Sequence, residues 1–219
     1  MLLEKIIAQL APDDCLICYK EGSIVCEGCF LTEFVEPLSG CYRCGAVDAS
    51  SSTCRTCRRQ SPLTHVWRAT KYQGLSRKLV QRYKFSSQRS ASTVMVTAML
   101  AVLPTFDAVV CAVPTASRRV RERGFDHALR LASSIARQRD LRLISPLLRS
   151  IQAQQVGAGR LQRLKQVKGG FLIIHPEQVK GRNVLLVDDV MTTGASLEEC
   201  ARVLRRAGAK RGDALVFAH

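Results

Sequence analysis

The chain has 219 residues, 47% of them apolar, and carries a formal net charge of +15. That length suits one large domain or two small ones, and no apolar run reaches the roughly 20 residues a membrane-spanning helix needs. Residues 1–60 hold six Lys/Arg against eight Asp/Glu, which leaves +17 on the rest, so anionic partners, phosphorylated small molecules or a nucleic-acid backbone, belong to the later part.

Residues 1–10 read as a short amphipathic helix, with Glu4 and Lys5 inside an apolar stretch. They lack the basic start and small-residue cleavage site of a signal peptide. Four Cys-x-x-Cys pairs follow: Cys15/Cys18, Cys26/Cys29, Cys41/Cys44 and Cys54/Cys57. Cysteine-rich sequence without a secretory signal points to reduced thiols and a cytoplasmic protein. A tight turn lets each pair aim two sulfurs at one ion, and four thiolates complete a tetrahedral zinc shell. Sequence-local grouping gives two quartets and two Zn2+ ions. A single occupied quartet, or a cross-braced pairing of the first and third pairs, are the alternatives. Eight cysteine ligands leave no open coordination position, so the expected role is structural. So few large apolar side chains occur here that metal is expected to supply the folding free energy, on the order of 10 kcal/mol per ion.

The composition changes near Gln60, and Pro62 marks a turn. We therefore expect a zinc-binding domain over 1–62 and a second domain over 63–219. In the second, apolar spacing predicts helices over 75–84, 92–103 (stopped by Pro104), 125–139 and 196–207. Short apolar runs predict strands over 108–113, 171–174, 184–187 and 214–218. Alternating strands and helices imply an α/β fold with a parallel sheet covered on both faces. Cys111 and Cys200 read as small buried apolar groups, Trp67 and Tyr72 as core residues, and His127 as a helix-surface residue.

The most informative stretch runs Val184-Leu-Leu-Val-Asp188-Asp189-Val-Met191-Thr192-Thr193-Gly194-Ala195-Ser196. An apolar strand runs into two carboxylates, then a hydroxyl-rich loop opens a helix. Ser196 with Glu199 has the spacing of a capping box. Free N–H groups at a helix start, with hydroxyls beside them, form an anion cradle, and Gly194 lets the backbone approach closely. Phosphate on residues 192–196 and sugar hydroxyls on Asp188 and Asp189 describe a ribose 5-phosphate.

This stretch resembles the signature of type I phosphoribosyltransferases, which bind 5-phosphoribosyl 1-pyrophosphate (PRPP). The resemblance implies ribose contacts from Asp188 and Asp189, also the catalytic candidates, and 5-phosphate contacts from Met191, Thr192, Thr193, Gly194, Ala195 and Ser196. A second stretch, Val113-Pro114-Thr115-Ala-Ser-Arg118-Arg119-Val-Arg121-Glu122-Arg123-Gly124-Phe125-Asp126-His127-Ala128, resembles the ComF/GntX competence-associated proteins. There the resemblance implies a pyrophosphate loop, with Pro114, Thr115, Arg119 and Arg123 toward the ligand. Asp126 and His127 stand where that family has Asn and Gln. Weaker matches are residues 71–74, Tyr83-Lys84, and a lid-like segment over 149–171 with Gln155, Arg163 and Gln166. The resemblance implies a double zinc ribbon before a type I phosphoribosyltransferase fold, Mg2+ bound with PRPP, and a role in handling single-stranded DNA during natural transformation. Three functional classes follow: a transferase with an unidentified acceptor, a DNA-handling protein, or a PRPP-sensing regulator.

Overall fold

The computed structural model describes residues 13–34, 38–47, 51–85, 89–150 and 170–219. The expected amino-terminal helix and lid residues Gln155, Arg163 and Gln166 lie outside them. The cysteine-rich part contributes two short helices, α1 (Glu27–Glu33) and α2 (Arg55–Arg58). Next come β1 (Val66–Thr70), α3 (Gly74–Phe85), α4 (Arg89–Val102), β2 (Val109–Ala112), α5 (Ser117–Arg123), α6 (His127–Gln138) and β3 (Leu143–Ile144). The chain continues through β4 (Leu147–Arg149), β5 (Phe171–Ile173), a 3-10 turn (Pro176–Gln178), β6 (Asn183–Val190), α7 (Ala195–Arg206) and β7 (Arg211–Ala218).

The main sheet has the order β1-β7-β6-β2-β3, with every pair parallel. Strand alternation sends Leu185 and Val187 of β6 to one face, against Leu79, Tyr83, Met95, Leu131 and Ile135 of α3, α4 and α6. Val184 and Leu186 go to the other face, against Leu197, Cys200, Ala201 and Leu204 of α7. Burial on both faces explains why β6 and β7 read as near-continuous apolar runs. Cys111 and Cys200 are buried as expected, and so is Trp67.

Several expectations need correction. Residues 171–173 do form a strand, but it pairs antiparallel with β4 in a separate ribbon. β1 was not foreseen because Arg68 and Thr70 interrupt its apolar run. Tyr72 is exposed, just past the end of β1.

The cysteine-rich segments cover the β1 edge, which would otherwise offer unpaired backbone groups. Leu38 N donates to Arg68 O, and Val66 N donates to Ser51 O. Ile24 and Val25, beside the first quartet, join one core face, and Tyr42, beside the second, joins the other.

Candidate functional site

β2 leads toward β3 on one side of the sheet and β6 leads toward β7 on the other. The reversal in strand order therefore falls between β2 and β6. In open α/β sheets the crevice beyond the carboxyl ends of such strands is where ligands bind. Asp188 and Asp189 occupy that end of β6, and Pro114 and Thr115 follow the end of β2.

The two acids are not equivalent. Asp189 is 3% exposed, with Lys84 Nζ 2.5 Å from its Oδ2 and His127 Nε2 3.7 Å from its Oδ1. Burial alone would raise its pKa, but Lys84, His127 and a hydrogen bond with Asp188 outweigh it and hold the carboxyl below the usual range. Asp188 is half-buried. Burial and the adjacent Asp189 charge push its carboxyl well above the usual range. The pair, with His127, brings ligand atoms within 4.8 Å of one another. Carboxylate oxygens gathered at this strand end can accept hydrogen bonds from the hydroxyls of a sugar.

These opposed shifts have opposed stability signs. A raised folded-state pKa means stability that is present below the unfolded pKa and lost as pH rises. Asp188→Asn is therefore expected to stabilise the fold at pH 7 by about 1 kcal/mol, with the gain shrinking toward pH 4. A depressed pKa means stability lost as pH falls. Asp189→Asn strips Lys84 of its partner and should destabilise the protein at pH 7 by about 3 kcal/mol. Thermal melts of both variants at pH 4 and pH 7 check the signs.

His127 corrects an expectation: it is buried, not on the helix surface. Arg123 Nη1 lies 3.2 Å from its Nδ1. A guanidinium only donates, so the neutral ring carries its proton on Nε2, facing Asp189. Burial lowers its pKa, Lys84 and Arg123 push the same way, and Asp189 opposes them. Lys84 and His127 are site residues that the sequence reading missed or misassigned, because more than fifty residues separate each from the acid pair.

The loop after β2 is shorter than expected, since Ser117–Arg123 forms α5. Thr115 Oγ1 donates to Asp126 Oδ1 at 2.9 Å, and that oxygen also caps α6 by accepting from Leu129 N. Asp126 thus has a local task where the family has Asn. Arg119 is exposed, while Arg118 pairs with Glu122 at 2.7 Å.

Beyond β6, Gly194 has φ +76°, the left-handed region that glycine enters without cost, and caps α7. The expected capping box does not form. The helix starts at Ala195, so Ser196 already lies within the first turn, and Glu199 pairs with Arg202 instead. Thr193 Oγ1 accepts from Ala195 N at 3.4 Å. Met191 is buried beneath the loop and Thr192 is exposed.

The cysteines form the two sequence-local quartets, each with its four sulfurs within 4.8 Å. Cys18 and Cys26 sulfurs are 3.6 Å apart, as are those of Cys44 and Cys54. Tetrahedral zinc with Zn–S near 2.3 Å needs sulfurs about 3.8 Å apart. Burial opposes ionisation of Cys15 and Cys41, yet backbone N–H groups hold both thiols at about 6. Neighbouring sulfurs and burial push Cys29 and Cys57 up to about 12. Four thiolates so close therefore call for a compensating cation, and the all-sulfur set fits zinc. A cavity of about 800 Å3 lies between the first quartet and α3 and touches neither the acid pair nor the hydroxyl loop.

The phosphoribosyl transferase domain profile matches residues 127–218. Competence protein F of Haemophilus influenzae is 27% identical over 203 residues, covering 84% of this chain and 85% of that protein. Competence protein ComFC of Bacillus subtilis is 26% identical over 206 residues, covering 88% of this chain and 82% of that protein. The chain is thus similar to two competence proteins over most of its length. DNA utilization protein YhgH of Escherichia coli O6:H1 is 33% identical over 103 residues, 46% of this chain and 44% of that protein. The chain joins cysteine quartets that fit zinc to a parallel sheet of the type I phosphoribosyltransferase kind. Among the described residues, no helix is long and apolar enough to cross a membrane.

Proposed function

We propose that this chain is a ComF-type protein that binds PRPP with Mg2+ in the crevice between the ends of β2 and β6, and serves DNA uptake in natural transformation. Residues 1–62 act as the metal-binding part and 63–219 as the phosphoribosyltransferase-like part. The observation that carries the reading is the acid pair at the strand-order reversal, followed at once by a glycine-bearing hydroxyl loop at a helix start. Asp188 and Asp189 accept hydrogen bonds from the ribose hydroxyls. Thr192, Thr193 and the first N–H groups of α7 hold the 5-phosphate. Arg119 and Arg123 face the pyrophosphate with charge-assisted bonds. Bound Mg2+ supplies neutralisation of charge on the pyrophosphate leaving group, and the chain's own part is positioning and electrostatics. The names of the two competence relatives support the assignment to DNA uptake.

A second reading, a DNA-handling protein, is favoured by a basic hollow of about 490 Å3 lined in part by Arg58, Arg205 and Arg206. The two readings separate in one experiment on the zinc-replete full chain. Asp188→Asn plus Asp189→Asn is expected to weaken PRPP binding at least ~100-fold, the loss of two charge-assisted contacts. Single-stranded DNA binding by that variant should stay within about twofold and fall steeply with salt. Equal PRPP affinity in the variant and the parent would refute the assignment of the acid pair.

A further inference from the structure

The second quartet does more than cover a sheet edge. Its first knuckle runs Cys41-Tyr42-Arg43-Cys44-Gly45, and a tight turn closes it: Gly45 N donates to Cys41 O, and Cys41 N to Ala46 O, each at 2.8 Å. The turn gathers the sulfurs on one side and sends Tyr42 and Arg43 toward α7. Tyr42 Oη donates to Glu198 Oε1 at 2.7 Å and lies 2.6 Å from Ser61 Oγ. Arg43 Nε sits 3.1 Å from the same Glu198 oxygen. Glu198 is 5% exposed and belongs to the first turn of α7, where its N–H donates to Gly194 O. The Tyr42 ring also covers Gly194 so closely that a Cβ there would stand 3.2 Å from it. The knuckle and the hydroxyl loop are therefore fixed to each other.

Between them lies a cavity of about 330 Å3, lined by Tyr42, Arg43, Arg68, Thr192, Thr193 and His219. That volume is at the lower end of small-molecule sites. The guanidinium-bearing Arg43 and Arg68 and the hydroxyl-bearing Thr192 and Thr193 line it. Arg68 is 6% exposed, and its Nε is buried without a hydrogen-bond partner. Its Nη2 is held by the carbonyls of Ser39 and Gly40, and its Nη1 lies 3.1 Å from His219 Nδ1. A buried cation fixed this way beside a pocket of hydroxyls favours an anion.

We propose that the zinc knuckle forms one wall of a phosphate monoester pocket, with Arg43 and Arg68 as its cationic anchors beside the hydroxyl loop. The ligand class is a pentose 5-phosphate, and this inference rests on the proposed PRPP reading. It adds that Arg43 grips the phosphate end from outside the phosphoribosyltransferase-like part, opposite Arg68 of β1. Phosphate affinity therefore depends on metal in the second quartet, because that metal holds Tyr42 and Arg43 in place.

The test titrates ribose 5-phosphate and, separately, inorganic pyrophosphate into the zinc-replete full chain. Arg43→Gln should weaken ribose 5-phosphate binding at least ~10-fold, the loss of one charge-assisted contact, and leave pyrophosphate within about twofold. Arg55→Ala, an exposed arginine beside the same quartet, should change neither. Cys57→Ser should lower the zinc content by one ion and weaken ribose 5-phosphate binding by a similar factor, with the Trp67 fluorescence spectrum reporting that the sheet is intact. Unchanged ribose 5-phosphate binding in Arg43→Gln overturns the inference and leaves the PRPP reading standing. Equal weakening of both ligands also overturns it. Failure of the parent protein to bind either ligand overturns both.

Discussion

Chelating both metal ions is expected to unfold the cysteine-rich part, a loss on the order of 10 kcal/mol per ion. The reason is the small amount of apolar surface these segments bury. Neither α1 nor α2 contains a buried residue. In the described part of residues 13–47, only Cys15, Ile24, Val25, Cys41 and Tyr42 are buried apolar groups. Without metal, four thiols stand packed against each other in each quartet, and each one that ionises opposes ionisation of its neighbours. Zinc analysis should return two ions per chain, and circular dichroism should show a lower melting temperature after chelation. Complete metal loss with an unchanged melt would contradict this account, since the segments would then be held by packing alone.

Arg68→Ala should cost about 3 kcal/mol, the penalty for leaving several buried polar groups without their donor. Arg68 projects from the edge strand β1, and its Nη2 is 3.4, 2.8 and 2.6 Å from the carbonyl oxygens of Leu38, Ser39 and Gly40. Gly40, with φ +87°, has no room for a side chain, because a Cβ would meet Ala46 O at 2.9 Å. The turn leading into Cys41 is thus built around one guanidinium. For a chain of this length the loss lowers the melting temperature by roughly 6–12 °C. Arg68→Lys should recover little of it, because one ammonium cannot reach both the carbonyl cluster and His219 Nδ1, which the two arms of the guanidinium divide between them. A shift below about 2 °C would mean that solvent satisfies these carbonyls.

Much of the architecture was legible because burial writes itself into the sequence. β6 and β7 are covered on both faces, so their apolar runs stand out, and α7 shows its stripe of Leu197, Cys200, Ala201 and Leu204. The cysteine quartets were legible from spacing alone. β1 was not, because a buried arginine looks like a surface residue until its carbonyl partners are known. β5 looked like another strand of the main sheet, since a short apolar run carries no record of its pairing partner. Within the site, Asp188, Asp189 and Gly194 were readable because they are consecutive with a strand and a helix start. Lys84 and His127 were not, because they reach Asp189 from α3 and α6, elements brought to it only by the sheet. The same holds for Tyr42 and Arg43, whose contact with Glu198 spans more than 150 residues.

The central claim is that the crevice between β2 and β6 takes PRPP, and calorimetric titration of PRPP with Mg2+ into the zinc-replete protein tests it most directly. The account predicts saturable binding of one PRPP per chain, with the heat lost in Asp188→Asn plus Asp189→Asn. Absence of any binding heat in the parent protein, with zinc bound and the fold intact, would contradict it.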